Sequence, residues 1–261
     1  MTLQEFFAEN ARAAIAFSGG VDSSYLLYAA VQCGADVHAY FAKTAFQPQF
    51  ELDDARRLAE SVGARLTVLE LDALSSEDVA RNPANRCYYC KQNIFGNLKR
   101  AAAEDGFTLI LDGTNASDDA GDRPGMRALR EMDVRSPLRE CGLTKTEIRR
   151  LSHEAGLFTW DKPAYACLAT RVPTGTRITP ELLAATERAE GWLFSQGYSG
   201  HGVTCTHLAG RLISELLRGD AERFDAFANL PHYPFPGGRS LRIPFTAMGA
   251  AYYSLRDRLG V

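Results

Sequence analysis

No apolar run in this sequence approaches the roughly 18–20 residues needed to span a bilayer, which excludes an obvious membrane helix. The opening residues Met1-Thr2-Leu3-Gln4-Glu5-Phe6-Phe7-Ala8-Glu9-Asn10 lack a basic segment followed by a long apolar stretch, so no secretory leader is expected and a cytoplasmic location is. Positive charge is not in excess: 29 Lys and Arg stand against 32 Asp and Glu, a net of −3. That balance argues against a nucleic-acid partner, which normally demands a clustered basic surface. Internal repeats and low-complexity tracts are missing too. So are the Gly-x-x-x-x-Gly-Lys-Ser/Thr loop and the dinucleotide Gly-x-Gly-x-x-Gly fingerprint.

What is present suits a globular chain. Hydrophobic residues make up 46% and charged residues 23% of 261 positions, enough for one large α/β domain with a smaller appendage. Apolar strand-like runs at 13–17, 35–42, 65–71 and 107–111 alternate with helical patterns at 23–33, 51–62 and 88–104, and Val134 marks a short fifth strand before Pro137. This alternation predicts a parallel sheet covered on both faces, with ligands beyond the carboxyl ends of its strands. Thr144 and Glu147 predict a capped helix over 144–155. Residues 160–179 are rich in Pro, Gly and Thr and read as a long functional loop. From residue 180 the pattern changes to a helix over 181–196, short strands near 203–207, 212–215 and 241–245, and a helix over 220–227. The expected organisation is an α/β domain over 1–178 and a small α+β domain over 179–261 that binds substrate or oligomerises.

The segment Ser18-Gly19-Gly20-Val21-Asp22-Ser23-Ser24 falls between the first strand and the first long helix. Glycines let the backbone approach a phosphate, successive N–H groups form an anion nest, and the helix adds free N–H groups and the positive end of its dipole. The Ser18 and Ser23 hydroxyls can donate as well. Asp22 would repel phosphate, so it is expected to fix the loop or to help hold Mg²⁺.

Six cysteines are present in a chain expected to be cytosolic, where metal or sulfur chemistry explains them better than disulfides do. Cys87 and Cys90 form a C-x-x-C, and Cys167 is a third candidate thiolate. Three such ligands on a 4Fe–4S cluster would leave one iron open. A structural zinc site completed by Cys141, a redox dithiol and plain buried cysteines are the other readings the residues leave open. Cys33 reads as a helix-end core residue and Cys205 as a strand residue.

The 18–24 segment resembles the PP-loop of the N-type ATP pyrophosphatases, which implies that ATP is attacked at its α-phosphorus and pyrophosphate leaves. Asp112-Gly113-Thr114-Asn115, at the end of the fourth strand, resembles that superfamily's second nucleotide-contacting segment. With residues 86–91, 111–114, 122–125, 136–143 and 160–179, the chain is similar over roughly residues 10–180 to the ATP-dependent sacrificial sulfur transferases, the LarE family.

That resemblance implies adenylation of a carboxylate on a pyridinium dicarboxylate mononucleotide, then displacement of AMP by sulfur to give a thiocarboxylate. One branch of the family sacrifices a single cysteine, at the position of Cys167. The other delivers sulfur from a 4Fe–4S cluster held by three cysteines, to which Cys87, Cys90 and Cys167 correspond. By resemblance, Thr170 is a hydroxyl near the thiol, Arg171 and Arg123 bind phosphate or carboxylate, and Gly113 and Thr114 contact the nucleotide. Asp119 falls in a stretch that the family uses near metal. ATP, Mg²⁺, the cluster, a sulfide or other sulfur donor and a homo-oligomeric state are the implied cofactors and partners. The resemblance thins after residue 180: Gly202-Val203-Thr204-Cys205-Thr206-His207 stands where the family has an Arg-x-Arg strand, and Phe235-Pro236-Gly237-Gly238-Arg239-Ser240 replaces a further family pattern. The alternatives carried forward are a tRNA-thiolating enzyme and a non-catalytic adenine-nucleotide-binding module.

Overall fold

The structure, a computed structural model, describes residues 1–118 and 124–195. The chain opens with α1 (Leu3–Glu9), whose capping box is written in Thr2 and Glu5: the Thr2 hydroxyl accepts from the Glu5 N–H at 3.2 Å and the Glu5 carboxylate accepts from the Thr2 N–H at 2.8 Å. It continues through β1 (Arg12–Ala16), α2 (Val21–Gln32), β2 (Asp36–Lys43), α3 (Gln49–Ser61), β3 (Arg65–Glu70), the short α4 (Glu77–Ala80), α5 (Arg86–Glu104) and β4 (Ile110–Leu111). Then follow α6 (Pro124–Glu131), α7 (Pro137–Glu140), α8 (Lys145–Glu154), a 3₁₀ turn at Leu168–Arg171 and α9 (Pro180–Ser195).

The sheet has the order β3-β2-β1-β4 and every pairing is parallel, so the expected α/β architecture is what forms. Strand β1 is central and its residues Ala13, Ala14 and Ile15 are wholly buried, as a strand covered on both faces must be. One face packs on Phe6, Leu26, Leu27, Leu58 and Ile148, the other on Tyr40, Phe95, Leu98 and Phe107. Successive strands β1, β2 and β3 step one way across the sheet, and β4 adds on the other side of β1. The loops leaving β1 and β4 therefore diverge at the carboxyl edge, the place where open α/β sheets bind ligands.

Two strand expectations are corrected. The fourth strand is shorter than 107–111, because Phe107 is still closing α5 through its N–H to the Ala102 carbonyl at 2.7 Å. The fifth strand at Val134 reduces to a single bridge between Leu111 and Arg135, because Pro137 has no N–H to extend a ladder and starts α7 instead. Thr144 caps α8 as expected, its Oγ1 accepting from the Glu147 N–H at 3.3 Å. Helix α9 lies in the compact unit that begins at Met1, with Leu183 buried in one cluster with Phe46, Val79 and Leu168. The strands and helix expected beyond residue 196 lie outside the described residues.

The segment ahead of α5 and the loop after α8 are tied together through Arg86 and Asn82. Asn82 is 1% exposed and adopts a left-handed φ of 55°; its amide donates to the Pro173 carbonyl at 2.9 Å and the Val172 carbonyl at 3.3 Å. Buried Arg86 donates to the Asn82 side-chain oxygen and to the Ala169 carbonyl at 2.9 Å. Removing the guanidinium strands two buried acceptors, so Arg86→Met is expected to lower unfolding stability by about 3 kcal/mol, read from urea denaturation at unchanged slope. A loss below about 1 kcal/mol would show that these segments are held by packing alone.

Candidate functional site

The turn after β1 is shaped by contacts that admit no side chain. Gly19 has φ +70°, and a Cβ on it would stand 3.2 Å from the backbone of Ala55 in α3. A Cβ on Gly113, from the loop after β4, would stand 2.9 Å from the backbone nitrogen of Ser23. The two glycines thus let α3 and the β4 loop close on the turn from either side. Gly20 begins α2 with no side-chain cap, so the N–H groups of Val21, Asp22 and Ser23 point out of the first helical turn without helical acceptors. The hydroxyls of Ser18 and Ser23 lie 3.1 Å apart, and Ser23 Oγ donates to the Gly20 carbonyl at 3.2 Å, bracing the curve.

A cleft of about 480 Å³ opens over this turn. Its walls include Ser18, Gly20, Asp22 and Ser23, the ends of β2 and β4, Lys91, Lys145, Lys162 and Cys167. Lys145 meets Asp22 at 2.5 Å, while the second oxygen of Asp22 is buried with no hydrogen-bond partner. Lys162 stands 2.7 Å from Asp54 and 3.3 Å from Glu51, and donates to the Gly19 carbonyl at 3.3 Å. Burial raises the Glu51 carboxyl above its usual range, with Lys162 working against that rise. Arg149 donates to the Trp160 and Lys162 carbonyls and so fixes the backbone from which Lys162 projects.

Asp112 organises the second segment. Its carboxylate accepts from Thr114 Oγ1 at 2.5 Å, from the Thr114 N–H at 3.2 Å and from Ser136 Oγ at 2.6 Å. Thr114 therefore faces the cleft with its hydroxyl proton committed to Asp112. Lysines 145 and 162 were not singled out by the sequence reading. Lys145 had a signal, since it follows the Thr144 cap and so falls in the first turn of a helix; Lys162 lay within the quoted 160–179 run.

The three candidate thiols lie in one region of the fold. Cys87 and Cys90 lie one turn apart in α5, and Cys90 and Cys167 both pack on the cluster formed by Phe46, Val79 and Leu168. Burial, then the neighbouring sulfurs of Cys167 and Cys87, pushes Cys90 up to about 12. Burial also raises Cys167, opposed by the Arg86 guanidinium and reinforced by Cys87. The sulfurs are thus within charge–charge range without being gathered into a closed ligand sphere, and among the described residues no three His, Cys, Asp or Glu side chains are close enough to hold a metal ion as they stand. Cys141 does not join them: its charged neighbours are the N-terminus, Glu140, Glu5 and Arg135 at the end of α7, so the zinc reading loses its fourth ligand. Cys33 ends α2 as expected but is exposed rather than in the core.

Thr170 and Arg171 lie in the 3₁₀ turn just after Cys167. Thr170 Oγ1 donates to the Cys167 carbonyl at 2.8 Å. Arg171 donates to Glu190 at 2.6 Å, to the Ala166 carbonyl at 2.7 Å and to Thr170 Oγ1 at 2.8 Å. Both side chains brace the sulfur-bearing loop. Arg123, Asp119 and Cys205 lie outside the described residues.

Over residues 8–115 the sequence matches the asparagine synthase family. It is 39% identical over 200 residues to an uncharacterized protein of Synechocystis sp., covering 76% of this chain and 74% of that protein. It is 36% identical over 189 residues to the pyridinium-3,5-bisthiocarboxylic acid mononucleotide synthase of Lactiplantibacillus plantarum, covering 72% of this chain and 68% of that one. A different match, 93% identical over 68 residues, is to the gamma-glutamylputrescine oxidoreductase of Escherichia coli; it takes 26% of this chain and only 16% of that protein.

Thiolate, not thiol, is the form that alkylates, and a raised thiol pKa shrinks the thiolate fraction near neutrality. In metal-free protein at pH 7.5, exposed Cys87 is expected to react with iodoacetamide first and Cys90 and Cys167 slowly, with their rates climbing as pH rises above 9. Peptide mass mapping reads the order; Cys90 labelled as fast as Cys87 at pH 7.5 would contradict it.

Proposed function

The chain belongs to the LarE family of ATP-dependent, adenylating sulfur transferases, and from that premise we propose that it activates a carboxylate of a pyridinium dicarboxylate mononucleotide and converts it to a thiocarboxylate. What supports this reading is one cleft whose wall carries both the phosphate loop and Cys167.

The loop at residues 18–24 takes the β- and γ-phosphates on its backbone amides and on the N-terminus of α2. Gly113 and Thr114, and Arg123 by resemblance, attend the nucleotide. Lys145 and Lys162, both at the cleft wall, add positive charge at the pyrophosphate end, and the partnerless buried oxygen of Asp22 suits Mg²⁺ between protein and phosphates. A substrate carboxylate oxygen then attacks the α-phosphorus, the bond to the α–β bridging oxygen breaks, and pyrophosphate leaves with that oxygen. The acyl carbon, whose oxide was a poor leaving group, now carries AMP, a good one. Sulfur adds at that carbon and AMP departs.

Cys87, Cys90 and Cys167 are three soft ligands in one neighbourhood; drawn together, they would be the donor set for a 4Fe–4S cluster with one iron free of protein ligands. Such a cluster, when bound, supplies sulfide at that free position. The chain's own part is to hold the three sulfurs beside the nucleotide cleft. Arg86 fixes Ala169 and so the Cys167 turn, while Thr170 and Arg171 close the turn from the other side. Binding iron displaces the thiol protons that burial favours on Cys90 and Cys167, so loading is expected to improve with pH.

Anaerobically reconstituted protein is expected to be brown, with iron and acid-labile sulfide near four each per chain on the cluster stoichiometry. Cys87→Ala, Cys90→Ala and Cys167→Ala should each lose most of both, while Cys167→Ala keeps ATP-dependent pyrophosphate release. Colourless protein with stoichiometric zinc would overturn the cluster and leave Cys167 as a sacrificial donor. Absence of pyrophosphate release with any carboxylate, despite ATP binding, would overturn the enzyme reading in favour of a nucleotide sensor.

A further inference from the structure

Two parts of this chain have different relatives. The sulfur-transferase relatives take 72–76% of it at 36–39% identity, whereas the oxidoreductase takes 26% at 93% identity. A chain that diverged as one unit would not be moderately similar to one kind of protein over three quarters and nearly identical to an unrelated kind over about one quarter. The two shares together account for the whole length.

The described fold shows what the sulfur-transferase share has to contain. The described residues up to 195 carry the cleft over the phosphate loop and the three thiols. Helix α9 is the last described element and is integral to that unit: Leu183 and Thr186 are buried, and Glu190 holds Arg171. Beyond it lie 66 residues, 196–261, against the 68 of the oxidoreductase match. In the two sulfur-transferase relatives the matched stretch covers only 74% and 68% of their length, so each has a further part without a counterpart in the match.

We infer that the chain is composite: residues through the end of α9 form the sulfur-transferase domain, and residues 196–261 are a segment of oxidoreductase descent standing where the relatives carry their own remaining part. The consequence for function concerns the acceptor, and in that respect the inference rests on the function proposed above. A dicarboxylate mononucleotide carries two carboxylates and a phosphate and needs cations to hold it. Among the described cleft and loop residues, Lys145 is paired with Asp22, Lys162 with Asp54 and Glu51, and Arg171 with Glu190. The first two serve the triphosphate end. None of these three is free for the acceptor's phosphate, so we place its anchor in the part of the relatives that the exchanged segment replaces.

The test compares the natural full chain with a graft in which residues 196–261 are replaced by the unmatched C-terminal part of the Lactiplantibacillus relative. Both are titrated by calorimetry with pyridinium-3,5-dicarboxylate mononucleotide, and ATP-induced thermal shifts confirm that the nucleotide cleft is intact in each. The expected result is equal ATP shifts and mononucleotide affinity at least about tenfold tighter in the graft. Two proteins that bind the mononucleotide alike, tightly or not at all, overturn the inference, since the exchanged segment then makes no difference. A graft that binds the mononucleotide more tightly yet releases no pyrophosphate from ATP would instead count against the proposed function and leave the composite reading standing.

Discussion

The exclusion of side chains from the inner surface of one turn is the constraint on which the rest of this molecule depends. A loop that grips a polyphosphate with its own amides cannot carry bulk where neighbouring elements press on it. Gly19 meets the backbone of Ala55 and Gly113 meets the backbone of Ser23, so α3 and the β4 loop close to van der Waals distance on opposite flanks. The β3-β2-β1-β4 order is what brings these two loops to the same edge. If either glycine acquired a Cβ, the flank would have to retreat, and the amides of α2's first turn would lose their fixed direction.

Around that turn the charges are arranged in pairs rather than as a bare basic patch. Asp22 restrains Lys145, and Glu51 with Asp54 restrains Lys162, so neither lysine is a mobile cation before ATP arrives. Pre-positioned cations spare the reorganisation that would otherwise accompany charge development on the departing pyrophosphate. The sulfur end obeys the opposite rule. Cys90 and Cys167 rest against Phe46, Val79 and Leu168, where ionised thiols are disfavoured until a metal or an electrophile takes the charge. A polar end at the phosphate loop and an apolar end at the thiols suit the proposed reaction, whose first step expels an anion and whose second must keep water from an acyl adenylate.

Much of this was legible in the sequence because it depends on local patterns. The alternation of β-type and helical runs gave the parallel sheet, the Ser-Gly-Gly turn gave the phosphate loop, and Thr144 gave the cap of α8. Tertiary pairing was harder to read. Lys145 and Asp22 are 123 positions apart, and nothing local to either announces the other. The fifth strand failed because Val134 looks like a strand residue while Pro137, three positions on, removes the donor that a ladder needs. Cys141 was a reasonable fourth ligand by residue type, and only the path of α7 shows that it faces the N-terminus instead. The departure from the family pattern after residue 180 was visible as missing arginines, whereas its meaning needed the comparison of the two sets of relatives.

In the proposed reaction a carboxylate, held beside the phosphate loop, attacks the innermost phosphorus of ATP. Heavy-oxygen labelling of the acceptor carboxylate tests it directly, with AMP and pyrophosphate recovered and weighed after turnover in the presence of the sulfur donor. Attack by the carboxylate leaves one labelled oxygen in AMP, carried over when sulfur displaces it, and none in pyrophosphate. Unlabelled AMP alongside thiocarboxylate formation would contradict it.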